Sequence, residues 1–208
     1  QVAKNLNVPI EHASLLVPCL LFYKKVIEST TTELIWSPGI TLCDAIAANY
    51  GEKHMKINFA HDFSKDIVIA SRNIAKRYKS NSGHTAVLEE GALGIFDMMK
   101  KYHGLGKRER LLLQIAAILH DCGKYISMNQ FADASYNIIM STEIIGLSHM
   151  ERETIANIVK YNTKEFNYAA KAEKDMTNTM YMTVAKLTAI LRIANAMDRS
   201  HKQKFHNF

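Results

Sequence analysis

The sequence predicts a mainly α-helical protein with a short α/β segment at its N-terminal end. Three observations carry that prediction. From residue 62 onward, apolar residues recur at helical spacing in one run after another. Residues 32–37 (TELIWS) form one short β-rich stretch between two helical runs. Residues 52–60 (EKHMKINFA) are polar and read as a linker, so the expected division is 1–56 and 57–208.

Residues 11–30 are the first helical run, with Pro18 inside it as an expected kink or break. The strand at 32–37 leads to a Pro38-Gly39 turn. A helix over 40–50 follows and should close at Gly51. A helix–strand–helix unit cannot complete a core by itself. Beyond the linker, helices are expected over 63–78, 84–103, 109–120, 134–142, 148–161 and 180–198. Polar or glycine-containing breaks separate them (79–83, 104–106, 127–133, 146–148 and 162–176). Ser148 with Glu151 has the S-x-x-E form of a capping box.

The composition, 48% hydrophobic and 22% charged over 208 residues, is that of an ordinary globular protein. The longest apolar run, 13–23, is too short to span a bilayer and is interrupted by Pro18, so no membrane partner is expected. The opening QVAKNLN carries neither an initiator Met nor a leader, and reads as the interior of a longer protein. Three cysteines without CxxC spacing argue against a disulfide framework or structural zinc. Cys19, Cys43 and Cys122 all lie in apolar helical contexts and are expected as buried packing residues in a reducing cytosol. Net charge is +6 and pI about 9.1, which suits a polyanionic partner. A nucleic-acid partner ranks last, since it rests on that charge alone.

The chemistry concentrates at LLLQIAAILHDCGK, residues 111–124. Leu113, Ala116, Ala117 and His120 recur at i, i+3, i+4 and i+7, which places His120 on a buried stripe. Asp121 follows where the helix should stop, ahead of Gly123. A carboxylate there is costly unless paired, and a divalent metal is the usual pairing for adjacent His and Asp. Two other stripes end in a similar residue: His84 with Leu88, Ala92, Ile95 and Met99, and Leu187, Ile190, Leu191 and Ala194 with Asp198. His61-Asp62 is a decoy, in a polar stretch (AHDFSKD) that reads as a helix start.

The order His84, His120-Asp121, Asp198 on three separate stripes resembles the HD-domain phosphohydrolases, all-helical proteins whose metal site has that order of ligands. More narrowly, nearly the whole chain resembles the C-terminal part of the Ppx/GppA family, the exopolyphosphatases and guanosine pentaphosphate (pppGpp) phosphohydrolases. The stretches that carry the resemblance are HDFSKDIVIASRNIAKRY (61–78), KKYHGLGKRERLLLQIAAILHDCGKYIS (100–127), GLSHMERETIANIVKY (146–161) and LRIANAMDRSH (191–201). ASLLVPCLLFYKKVIE and TELIWSPGITLCDAI look like the close of that family's second actin-like domain.

The resemblance implies a cytoplasmic parent hydrolase acting on polyphosphate or on guanosine penta/tetraphosphate. Its catalytic carboxylate, phosphate loops and Mg²⁺ site belong to two N-terminal actin-like domains. Nearly all of that lies outside this sequence, which has no Gly-rich phosphate loop. The resemblance therefore implies an HD-like module over 57–208 that helps form a homodimer and borders the polyphosphate groove, with no catalytic residue of its own. Residues 1–56 would be the remnant of the second actin-like domain.

Two departures from the family pattern argue against a two-metal site. Residues 128–135 read MNQFADAS where a His-rich run is usual, and Lys160-Tyr161-Asn162 stands where R-Y-H is usual. What is left is the ligand set His84, His120, Asp121 and Asp198. Its sharp reading is a single Mn²⁺, Fe²⁺, Zn²⁺ or Mg²⁺ activating water on a phosphate ester, with Asp121 and Lys124 as catalytic residues and Lys124 or Arg199 neutralising phosphate charge. Its bland reading is an inherited site in which His120 pairs with Asp121 and His84 with Asp198. His103 is expected at a helix end, where a cation is mildly favoured, and His149 on the surface. Tyr102, Tyr125, Phe131 and Tyr136 are expected in the core. Lys100-Lys101 and Lys107-Arg108 are expected on a solvated surface or beside an anion groove.

Overall fold

A computed structural model describes residues 9–35, 39, 42–55, 62–168 and 176–199. The chain divides into two compact units, Gln1–Phe59 and Ala60–Phe208. The expected boundary at 56/57 lies outside the described residues.

In the first unit, α1 (Ile10–Glu28) runs unbroken through Pro18. It buries no residue, and Leu15, Leu20, Leu21 and Phe22 are all exposed. Cys19 and Cys43 are exposed too, contrary to the packing role expected of them. Among the described residues, neither helix has an apolar face covered in this unit. Residues 31–35 are irregular rather than a strand, while 36–37 lie outside the described residues. A strand needs a ladder partner, and no other extended segment is present among the described residues. Helix α2 (Leu42–Met55) continues past Gly51, where the sequence predicts a stop. Isolated glycine weakens a helix by only about 1 kcal/mol, so it does not compel an end.

The second unit is helical throughout its described residues, as expected. Helix α3 (Phe63–Arg77) starts at Asp62, whose carboxylate accepts from Ser64 N–H at 3.0 Å. It buries Ile67, Ser71, Ile74 and Ala75, the 3–4 spacing of one face. Helix α4 (Ser82–Met98) starts at Asn81, which accepts from His84 N–H at 3.2 Å. The expected single helix over 84–103 is interrupted at Met99, and a short α5 (Lys100–His103) follows. His103 ends α5, as expected, and is buried. Its Nε2 donates to Phe96 O at 2.8 Å while its Nδ1 accepts from Leu105 N–H at 2.9 Å. It thus ties the turn at Gly104 (φ +66°) back to the last turn of α4.

Helix α6 (Lys107–Leu119) is the centre of this unit, packed against α3, α4, α8 (His149–Tyr161) and α9 (Asn178–Met197). These contacts explain why LLLQIAAIL is apolar at every position but Gln114, which donates to Glu89 at 2.8 Å. Leu113, Ile115, Ile118 and Leu119 are fully buried, each worth roughly 1.5–3 kcal/mol. After α6 the chain makes one 3₁₀ turn (Cys122–Tyr125) and then α7 (Phe131–Ser141). Gly123 is required at that junction. A Cβ there would lie 2.2 Å from Phe131 O and 2.4 Å from Ser135 N, both backbone atoms. Gly123 N–H also donates to Ser135 Oγ at 2.8 Å. The close approach fixes where the C-terminal end of α6 points.

The Ser148–Glu151 capping box forms at the start of α8: Ser148 N–H donates to Glu151 Oε2 at 2.8 Å and Ser148 Oγ accepts from Glu151 N–H at 3.3 Å. Arg108 grips the same carboxylate (Nε to Oε1, 2.6 Å) and Gly146 O (2.7 Å). Its charge is therefore engaged locally rather than offered to an anion groove. No helix among the described residues is long and apolar enough to cross a membrane.

Candidate metal and phosphate site

Three helix ends meet where the sequence places its candidate ligands. His84 sits in the first turn of α4, His120 caps α6, Asp121 opens the 3₁₀ turn and Asp198 caps α9. All four are at most 4% exposed. The His84 and His120 rings stand edge to face with centroids 5.1 Å apart.

The four do not converge on one point. His84 Nδ1 donates to Asp198 Oδ2 at 2.8 Å, so these two partner each other. His120 Nδ1 donates to Ala117 O at 2.8 Å. That bond leaves Nε2 as the ring's bare lone pair, and Nε2 is buried without a hydrogen-bond partner. Asp121 Oδ1 is buried without one as well. No group of three or more His, Cys, Asp or Glu side chains poised for one cation is found among the described residues.

The donor chemistry nonetheless fits a divalent ion at His120 and Asp121. A neutral imidazole, oriented by a carbonyl on its other nitrogen, and an adjacent carboxylate oxygen are a metal-binding pair. Burial holds the His120 imidazole neutral, its pKa pushed down to about 4. The quartet is thus a closed pair, His84–Asp198, beside an open one, His120 and Asp121.

Asp121, of the open pair, borders a polar depression of about 320 Å³, lined also by Tyr78, Lys79, Asn81, Lys124 and Tyr125. Lys124 Nζ lies 3.8 Å from Asp121 Oδ2 and 5.7 Å from the Phe131 ring centroid. Arg199 is exposed and is not among the residues lining this depression. Burial pushes the Cys122 thiol up to about 11, which suits packing and not nucleophilic chemistry.

Tyr125 is exposed, not core. It meets Tyr78 edge to face at 6.0 Å, with Lys79 Nζ 5.8 Å from its ring. Tyr102 is exposed as well, whereas Tyr136 is partly buried against the core. Sequence reasoning missed Tyr78, Lys79 and Asn81 as mouth residues. The signal present was the polar break KSNSG, which reads as a connection and nothing more.

Residues 69–207 match the family model described as Ppx/GppA phosphatase, domain III. None of the curated proteins compared with the chain matches it. The family match covers the helical unit from within α3 onward and all four candidate ligands, so the chain belongs to the Ppx/GppA phosphatase family, of which it carries domain III.

Proposed function

We propose that this chain is the C-terminal part of an exopolyphosphatase or pppGpp phosphohydrolase, in which its helical unit is a dimerising, polyanion-guiding HD-like module and not the hydrolytic centre. Residues 1–56 are then the remnant of the second actin-like domain, and the parent protein is cytoplasmic with its Mg²⁺ in the actin-like part. The observation that carries this reading is the His84 Nδ1–Asp198 Oδ2 hydrogen bond of 2.8 Å. It satisfies two of the four candidate ligands without any ion. The net charge of +6 and the lysines at the mouth, Lys79 and Lys124, support a polyanionic partner. The experiment is polyphosphate binding to metal-stripped protein at low and high salt. Saturable, salt-sensitive binding by a species that sediments as a dimer is expected. Absence of binding would refute the guiding role.

A second reading is favoured by the two orphaned atoms, His120 Nε2 and Asp121 Oδ1. Here the unit is an independent metal-dependent HD phosphohydrolase acting on a nucleotide or phosphomonoester. His120 and Asp121 would hold the ion, with His84 and Asp198 recruited, and Lys124 and Arg199 would neutralise phosphate charge. A bound Mn²⁺, Fe²⁺, Zn²⁺ or Mg²⁺ would supply an activated water. Elemental analysis of protein purified without chelator separates the readings. About one metal per chain, lost in Asp121→Ala, would establish the second. No metal in either protein, with the variant still folded, would leave all four residues structural.

A further inference from the structure

A second depression, of about 550 Å³, lies on the other side of Lys79 at the start of α4. Its polar lining is Arg72, Lys76, Lys79, Ser80, Ser82 and Thr85, with no acidic side chain among them. Arg72 is shared with Glu89 (Nη2 to Oε1, 2.8 Å), which leaves Lys76 and Lys79 as the principal cations. Ala75 and Ile118 supply apolar walls, which raise the strength of any charge–charge contact inside. The N–H groups of Ser82 and Gly83 fall in the first turn of α4, a helix of 17 residues. No carbonyl of their own helix reaches them. An independent observation points to a ligand. Thr85 is 5% exposed, and its Oγ1 is buried without a hydrogen-bond partner, as is Ser80 Oγ. Two orphaned hydroxyls, two lysines and a helix N-terminus all call for a group that is negative and rich in acceptors.

We propose that this pocket binds a phosphate-class oxyanion, with Thr85 Oγ1 and Ser80 Oγ donating to its oxygens and Lys76 and Lys79 neutralising it. The pocket is separate from the Asp121 depression but shares Lys79 with it. A chain of linked phosphates could therefore engage Lys79 from either side. The choice of ligand rests on the polyanion reading above; the site itself rests on its own residues. The same chemistry could be offered by an inorganic phosphate chain or by the phosphates of a nucleotide.

The test is a titration of the full chain with orthophosphate, tripolyphosphate and a nucleoside triphosphate, followed by backbone amide NMR shifts. We expect saturable shifts centred on Ser82, Gly83 and Thr85. Thr85→Val should weaken binding about 5-fold, the loss of one hydrogen bond. Lys79→Gln should weaken it about 10-fold and flatten its salt dependence. Equal affinity for tripolyphosphate and the nucleotide identifies the phosphate chain as what is recognised, and tighter nucleotide binding identifies an organic phosphate; either supports an oxyanion pocket. Tripolyphosphate that binds but shifts only residues around Lys124 and Tyr125 overturns the pocket while leaving the polyanion reading intact. Absence of any binding overturns both. Unchanged affinity in both folded variants overturns the pocket as well.

Discussion

Lys79 holds φ +52° one position beyond the cap of α3, where helices commonly end in glycine. The hydrogen bonds are those of a Schellman ending: Ser80 N–H to Ala75 O at 3.0 Å and Lys79 N–H to Lys76 O at 3.1 Å. A lysine there strains the backbone, and strain of this kind is retained where a side chain has work to do. Lys79→Gly should therefore stabilise the unit by about 0.5–1 kcal/mol, raising Tm by roughly 1–3 °C, while weakening phosphate binding. Thermal unfolding beside a tripolyphosphate titration checks both. A lower Tm, or a higher one with binding intact, would remove the functional reason for the lysine. At this scale the sequence was legible wherever burial follows periodicity. His84, His120 and Asp198 sit on the inward stripes that the spacing assigns them. It offered the His84–Asp198 pair only as one of two readings, because Asp198 lies 114 residues from the imidazole it accepts from and spacing alone cannot choose. Tyr125 and Tyr102 defeated it for a related reason. An aromatic side chain reads as core in a sequence, and only the neighbouring chain decides whether anything covers it.

Helix ends in this protein are set by local chemistry, and that is where sequence reasoning works best. The Asp62 cap and the Ser148–Glu151 box form as their residue types require. The break at Met99 was not legible, since neither Pro nor Gly marks it. It depends on His103 reaching back to Phe96 O. Two of these ends make stability depend on pH. The Arg108 guanidinium and the Ser148 N–H and hydroxyl hold Glu151 down at about 2, below its ordinary 4.5. A depressed carboxyl stabilises the fold above the unfolded value, so this contribution fades as pH falls from about 4.5 to about 2. Burial holds His120 at about 4, below its ordinary 6.5. The unfolded chain then takes up the proton first, and stability falls as pH drops from about 6.5 to about 4. Its steepest slope is about 1.4 kcal/mol per pH unit. Urea midpoints should therefore decline already between pH 6.5 and 4.5, ahead of the carboxyl range, and Glu151→Gln should flatten only the lower part. A midpoint unchanged down to pH 4.5 would contradict a buried neutral His120.

At the scale of the molecule, the helical unit was legible because a central helix, α6, whose last nine residues are apolar but for Gln114, leaves few arrangements for the amphipathic helices around it. The first unit was not. Its strand was expected at 32–37, and the described part is irregular, because β propensity has no outlet without a second strand. Its helix α1 carries Leu15, Leu20, Leu21 and Phe22 with none of them buried, a pattern no propensity scale foresees. For the second unit, the closed His84–Asp198 pair and the lysine-lined depressions favour the proposed polyanion binding without metal, whereas the open His120–Asp121 pair favours the metal-dependent reading.

The most direct test of the polyanion claim is equilibrium binding of polyphosphate to the chelator-treated 208-residue chain, measured from about 50 to about 200 mM salt. Saturable binding that survives removal of metal and weakens steeply with salt is the result expected of a guiding module. Binding that vanishes on chelation and returns only with a divalent ion would contradict it, and would make His120 and Asp121 the ligands of a working metal centre.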